Sequence, residues 1–245
     1  RDGSADLVRT EFPDVLLLAE RANHGYARGN NLGLARVEDA DAVLLLNPDT
    51  EVPPGTLDAA LAALRADPAR GVVSVRFVGL DGETQPSVRG FPEYADLARE
   101  MLGLRDNGYR LPNFDYAADG PAPQPMGTFL LFRREALDAV GGRFDEDFPI
   151  FFNEVDLLRR MADRGFGAWY LGSAWIRHVG GAGTRQVKKA MIWESHRSLV
   201  RYMAKHRRRG AEWGPWLLLA VFSPLVAFVR AKGYDPGFRP EHHDL

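Results

Sequence analysis

At 245 residues, 45% of them hydrophobic and 26% charged, the chain can bury a full core and has the composition of an ordinary globular protein. A formal net charge of -2 gives no overall attraction to nucleic acid, so no nucleic-acid partner is expected. Cysteine is absent, which excludes a disulfide framework, a thiolate metal site and a cysteine nucleophile, and fits a cytoplasmic setting.

The chain opens on Arg1-Asp2-Gly3-Ser4, which reads as the middle of a loop, and further residues are expected before it. A short helix is predicted from Ala5 to Glu11, then a strand over Asp14-Val15-Leu16-Leu17-Leu18-Ala19. Residues Asn23 to Gly33 form a polar, glycine-rich segment that reads as a loop running into a helix near Leu34 to Glu38. Ala42-Val43-Leu44-Leu45-Leu46 is a strand whose continuous aliphatic run predicts burial on both faces, as inside a parallel sheet. It ends in Asn47-Pro48-Asp49-Thr50, and ligands of such sheets are met at the carboxyl ends of the strands. Asp49 is then either a metal or phosphate contact or a cap for the helix beyond Pro53-Pro54.

Leu57, Leu61 and Leu64 fall at helical spacing between Thr56 and Ala66, and Asp67-Pro68 stops that helix. A strand over 71–78 follows, and the alternation of strands and helices predicts a parallel or mixed α/β sheet. Between Arg89 and Pro125 the pattern loosens, apart from a helix near Tyr94 to Leu104; the segment reads as a surface excursion or a substrate-covering loop. Gly127 opens a strand through Phe132, and a helix from Arg134 to Val140 stops at Gly141-Gly142.

Three chemical positions remain along the way. Glu154 and Asp156 sit at the mouth of a helix after the aromatic run Phe148-Pro149-Ile150-Phe151-Phe152. They either stabilise that helix N-terminus or supply a partly desolvated general base. His178 ends a strand beginning near Ala174, as a structural histidine or as a metal ligand beside a carboxylate. Beyond it, Ser198 to Arg209 reads as a basic helix with interleaved apolar residues. Trp213 and Trp216 then precede an apolar stretch, 217–229, broken by Pro224 and closed by Arg230 and Lys232. That stretch is short of the roughly 18–20 residues a spanning helix needs. Residues 197–232 therefore read either as a membrane-surface element or as a helix pair packed on the core.

The ordered set Asn23-x-Gly25-Tyr26-Ala27-x-Gly29-Asn30-Asn31-x-Gly33, Leu46-Asn47-Pro48-Asp49-Thr50, Gly127, Gly141-Gly142-x-Phe144-Asp145-Glu146, Asn153-Glu154-Val155-Asp156-Leu157 and His178 resembles a family 2 glycosyltransferase. It is most similar to the bacterial rhamnosyltransferase-like and galactofuranosyltransferase-like branch. The resemblance implies a GT-A fold: α/β with a mixed central sheet, here without the N-terminal strand–helix unit, over residues 1–190. A helical C-terminal region over 191–245 is expected to follow. Asp2-Gly3-Ser4 resembles the tail of the loop after the family's second strand.

The resemblance also implies roles. Asp49 and His178 would hold Mn²⁺ or Mg²⁺, with Asn47 in place of the family's first acidic residue. Gly25, Arg28, Asn30, Asn31, Asn47, Asp49 and Gly127 would meet a nucleotide-sugar donor. Glu154 stands where the family places its catalytic aspartate, with Asn153 at the preceding glutamate, and Asp156 is the reserve base. The implied activity is inverting transfer of a sugar, with dTDP-rhamnose as the expected donor, to a glycan or lipid-linked glycan. The setting would be cytoplasmic, at the inner face of the cytoplasmic membrane. Two rival readings are a degenerate transferase that binds nucleotide or glycan, and a metal-dependent phospho- or nucleotidyltransferase. The second would need a basic phosphate loop that the sequence lacks.

Overall fold

The computed structural model describes residues 3–102, 104, 107–179, 188–207 and 212–232. The expected first residue of the family-like loop, Asp2, lies outside these, as do Gly180, Gly181, Arg208, Arg209 and the C-terminal 233–245. The elements in order are α1 (Ser4–Glu11), α2 (Gly25–Leu34), β1 (Ala42–Leu46), β2 (Thr50–Glu51), α3 (Thr56–Ala66), β3 (Arg70–Val78), β4 (Val88–Arg89) and α4 (Tyr94–Met101). They continue with β5 (Gly120–Pro121), β6 (Gln124–Pro125), β7 (Phe129–Arg133), α5 (Arg134–Asp138), α6 (Asn153–Ala162), β8 (Gly167–His178), α7 (Lys188–His206) and α8 (Trp213–Lys232).

The main sheet is mixed and runs β1-β7-β3-β8-β2, with β5 added to β8. β3 and β8 are parallel, whereas β7 lies antiparallel to both β1 and β3. Side-chain alternation splits the core between the two faces. Val43, Leu45, Val72, Leu130 and Phe132 point to one face, where α2, α5 and α6 bring Leu34, Leu137 and Leu157 onto them. Val73, Val75, Phe77, Phe129 and Leu131 point to the other, under Ala60 and Leu64 of α3.

Several expectations change. β1 is not an interior parallel strand: among the described residues it ends the sheet, pairs antiparallel with β7, and leaves Leu46 exposed. Residues 14–19 form no strand, because no described strand offers them a ladder; Val15 and Leu16 stay 57% and 68% exposed. Most of the 23–33 segment is helix rather than loop: α2 starts at Gly25 and ends at Leu34, where the next helix was expected to begin. Helix propensity there is poor, with three glycines, so tertiary anchors hold it. Ala27 and Leu34 bury one helical face, and Asn31 exchanges hydrogen bonds with the Phe144 backbone. The loose 89–125 stretch is packed: Leu111, Phe114 and Tyr116 cluster with Val88 and Tyr170, and β4 pairs with β6. Pro224 does not break α8, which runs through it.

α7 is tied to the acidic segment before and within α6. Lys205 reaches Asp145 at 2.7 Å, Arg201 donates to the Asp147 carbonyl, and the Tyr202 ring packs on Phe152. Phe152, the residue before α6, has a positive φ of 64° despite its side chain. Such backbone costs roughly 1–3 kcal/mol and persists only where packing over-determines it.

Gly25 allows the entry of α2 to lie against the loop before α6. Its φ is +76°, and a Cβ there would stand 2.8 Å from the Pro149 carbonyl oxygen, the same oxygen that accepts from the Ala27 amide. Gly25→Ala is therefore expected to destabilise the fold by about 1–3 kcal/mol, read as a lower denaturant midpoint. An unchanged midpoint would show that this entry is not strained.

Candidate active site

Two consecutive carbonyls at the start of β7 gather the site. The Asn47 amide donates to the Thr128 carbonyl at 2.9 Å, which ties the end of β1 to β7. The Tyr26 hydroxyl donates to the Gly127 carbonyl at 2.6 Å, which ties α2 to the same turn. A Cβ on residue 127 would stand 2.9 Å from the Tyr26 hydroxyl and 3.8 Å from the Glu154 Cβ. A Cβ here would press on the Tyr26 hydroxyl, and Glu154 of α6 lies at ordinary contact distance beside the Gly127 turn.

On the β1 side, Thr50 donates to the Asn47 carbonyl at 2.6 Å and closes the turn that presents Asp49. β2 pairs with β8 so that Thr50 faces His178, and Val179 donates to the Asp49 carbonyl. The His178 Nε2 and an Asp49 carboxylate oxygen then stand 3.7 Å apart, beyond hydrogen-bond range. Gln85 fixes which nitrogen of His178 carries the proton. Its Nε2 donates to the His178 carbonyl at 3.0 Å, and a carbonyl can only accept. Its Oε1 must therefore face the His178 Nδ1, at 2.7 Å, and that nitrogen must be the donor. In the neutral imidazole Nε2 is left with its lone pair toward the carboxylate. Two acceptors converging in this way fit a shared cation with oxygen and nitrogen ligands. No group of three or more His, Cys, Asp or Glu side chains forms a metal cluster among the described residues.

Glu154 occupies the first turn of α6, with its amide donating to the Asn153 Oδ1 at 2.7 Å. Burial pushes its carboxyl up to about 7, against the lowering effect of hydrogen bonds from the Glu154 and Val155 amides. Burial and the Glu154 charge raise the Tyr26 hydroxyl well above its ordinary value, so it remains a donor. Asp156, two residues on, is held differently. It is fully buried and bonded to His206 at 2.8 Å, Lys205 at 2.7 Å and Arg160 at 2.9 Å. Burial alone would raise its carboxyl, but His206, Lys205 and Arg160 together hold it below the usual carboxylate range. A carboxylate so enclosed is an anchor between α6 and α7, and the base chemistry open to this helix rests on Glu154.

The glycine-rich helix divides into structural and exposed positions. Gly25 serves the contact with Pro149, and Asn30 returns its amide to the Tyr26 carbonyl within the helix. Asn31 spends its amide on the Phe144 backbone and Glu146. It lines a cleft of about 540 Å³ with Arg143, Asp145 and Lys205, on the side of the Asp156 anchor. Arg28 is exposed. The structure thus gathers Asn47, Asp49, His178, Gly127 and Glu154, and leaves Asn31 and Asp156 to hold the frame.

The family model described as "Glycosyl transferase family 2" matches residues 1–141. The chain belongs to glycosyl transferase family 2. Over 220 residues it is 28% identical to N-acetylglucosaminyl-diphospho-decaprenol L-rhamnosyltransferase from Mycobacterium tuberculosis, in strains CDC 1551 / Oshkosh and ATCC 25618 / H37Rv. That match covers 83% of this chain and 71% of the relative.

Among solved structures, the mannosyltransferase PcManGT from Pyrobaculum calidifontis, in complex with GDP-Man and Mn²⁺, aligns with a TM-score of 0.53 at 21% identity. GalNAc-T7 with UDP, GalNAc and Mn²⁺ aligns at 0.52 and 11%. These alignments cover 95% and 96% of this chain, which spans 61% and 49% of those two. This family 2 chain thus has the GT-A-like α/β fold, with a helical C-terminal region, and is by family and fold a glycosyltransferase.

Sequence reading missed Gln85 and the donor role of Tyr26 in this glycosyltransferase. Gln85 reaches a residue 93 positions away and stands in no motif; Tyr26 reaches 101 positions away and was visible only as part of the glycine-rich pattern.

Two outcomes follow for stability. The folded protein holds a proton on Glu154 up to about pH 7, against an ordinary value of 4.5. Its stabilising contribution is full below pH 4.5, declines as pH rises and is gone above about 7. Glu154→Gln should therefore gain in thermal midpoint relative to wild type between pH 4.5 and 7 and hold that gain above; a pH-independent difference would contradict the burial. Asp156→Ala removes the buried acceptor shared by Arg160, Lys205 and His206 and should cost about 3 kcal/mol in denaturant unfolding. A cost below about 0.5 kcal/mol, the range of ordinary surface substitutions, would refute the anchoring role.

Proposed function

We propose that this chain transfers a sugar, with inversion, from a nucleoside-diphosphate donor to a hydroxyl of a lipid-linked glycan. The observation that carries the proposal is the placement of Glu154 beside the Gly127–Thr128 turn, with the Asp49–His178 pair at the end of the strand bonded to that turn. Asp49 and His178 would hold Mn²⁺ or Mg²⁺, which when bound neutralises charge on the leaving diphosphate. Asn47 and Arg28 are the remaining candidates for donor contact, one by hydrogen bond and one by charge.

Glu154 carries the proton transfer. The acceptor oxygen attacks the anomeric carbon as the bond from that carbon to the diphosphate oxygen breaks, and the hydroxyl proton passes to the Glu154 carboxylate. A base with its proton affinity set near neutrality suits that transfer. The Tyr26 hydroxyl, bonded to Gly127 at 2.6 Å, keeps Gly127 and its neighbour Glu154 in register.

The sugar is proposed to be L-rhamnose, carried by dTDP, and the acceptor a glycan on a lipid diphosphate. The support is the 28% identity to the mycobacterial rhamnosyltransferase, whose name gives N-acetylglucosaminyl-diphospho-decaprenol as its acceptor. A lipid-borne acceptor places the reaction at a membrane surface, the inner face of the cytoplasmic membrane. No helix among the described residues is long and apolar enough to cross a membrane. Contact would then run through α8 and its basic flanks, and failure to co-sediment with anionic vesicles would remove that part of the reading.

The test begins with thermal unfolding in UDP, dTDP and GDP, each with and without Mn²⁺. A nucleotide at ~100 times its dissociation constant adds about 2.7 kcal/mol of stability. The expected result is Mn²⁺-dependent stabilisation by dTDP that disappears in Asp49→Ala and His178→Ala. With the matching donor, Glu154→Ala should lower turnover by ~10²–10⁴ while nucleotide stabilisation persists. Full activity in that variant would sink the base assignment. Binding without transfer to any acceptor would favour a nucleotide-binding module instead.

A further inference from the structure

A cleft of about 400 Å³ lies between α4, α7 and α8, within the ~300–1,000 Å³ of small-molecule sites. Its apolar lining is Leu97 of α4, Leu199 of α7, Leu219, Phe222 and Val226 of α8, and Phe152. Phe152 immediately precedes the α6 turn that bears Glu154. Tyr109 and the ion pair between Glu100 and Arg110 also line the cleft. Tyr109 lies close enough to Glu154 for that charge to raise its hydroxyl, behind the larger effect of burial. The cleft thus has an apolar wall, while Glu100, Tyr109, Arg110, Ser195, His196 and Ser223 give it a polar lining.

The outer face of α8 has an unusual character for a surface helix. No charged residue occurs between Glu212 and Arg230. Ser223, Ala227 and Ala231 face inward, whereas Leu218, Val221, Leu225 and Val229 are exposed, Val229 to 67%. A helix apolar on both sides belongs against hydrocarbon or a partner rather than water. Phe222 joins the two features: it lines the cleft and is itself 46% exposed on the outer row. The apolar outer surface is thus continuous through Phe222 with the apolar wall of the cleft, which at Phe152 meets the start of the helix that bears Glu154.

We propose that this cleft receives the proximal part of the lipid chain of a lipid-diphosphate acceptor, which enters over the outer face of α8 and presents its glycan toward Glu154. The inference rests on the transferase reading above and names the part of the acceptor that this chain grips. An amphiphile with an apolar tail and an anionic head matches the sequence of surfaces, as a soluble sugar would not. A second copy of the chain seated on α8 is the competing occupant.

The probe is dansyl-labelled farnesyl diphosphate, titrated into the full chain without detergent and read by dansyl emission. This needs neither sugar donor nor turnover, so its outcome is separate from that of the transfer assay. Wild type should bind saturably. Val226→Trp and Leu199→Trp fill the cleft from two helices and should each weaken binding by about tenfold or more. The double substitution Leu218→Ser, Val221→Ser alters only the outer row and should keep cleft affinity within about twofold, as surface changes do. Leu199→Ala enlarges the cleft without blocking it and should still bind, which guards against a filled variant that fails to fold. Absence of saturable binding, equal binding by the filled variants, or loss only in the outer-row variant would overturn the proposal. So would sedimentation showing a dimer that dissociates on filling the cleft.

Discussion

The start of β7 is the point on which the rest of the site depends. Two adjacent carbonyls, Gly127 and Thr128, accept from Tyr26 of α2 and from Asn47 at the end of β1. Those bonds bring a helix and a strand end, far apart in the chain, to one turn. The missing Cβ at residue 127 leaves room for Tyr26 and for the first turn of α6. Without that close approach, Glu154 would not border the same turn as the segment that presents Asp49.

Polar groups here divide between those that hold the frame and those left to act. Asp156 is bonded to Arg160, Lys205 and His206, and Asn31 to the Phe144 backbone and Glu146. At Glu154, burial raises the carboxyl and only backbone amides oppose the rise. The two carboxylates lie two residues apart on one helix, yet their surroundings drive their proton affinities in opposite directions. Gln85 makes a comparable distinction at His178, because its bond to a carbonyl oxygen leaves only one consistent assignment of the ring proton.

The C-terminal helices extend the same frame toward an apolar surface. α7 is fixed by the Asp156 anchor and by the Phe152–Tyr202 packing, and α8 rests on α7 through the bond from the Trp216 indole to the Val200 carbonyl. A helix so placed keeps its apolar outer row exposed while its inner residues line a cleft that also contains Phe152. The strained backbone at Phe152 is where these two functions meet, since one residue both packs against α7 and starts the helix of Glu154.

Much of this was legible from sequence because it is local. Helical spacing marked α3 to the residue, and aliphatic runs ended by Pro-Asp or His marked the strand ends that carry Asp49 and His178. Ordered motifs named the family and the α/β fold. What the chain alone did not determine is pairing. Val15 and Leu16 have strand character, but a strand exists only where another supplies its hydrogen bonds. The glycine-rich segment has poor helix propensity, yet anchors more than a hundred residues away make it α2. Likewise, sequence put Glu154 and Asp156 on one helix turn, with Glu154 as the base and Asp156 in reserve. Only the tertiary structure shows why their surroundings differ, by enclosing Asp156 among Arg160, Lys205 and His206 and leaving Glu154 partly buried with backbone amides for partners.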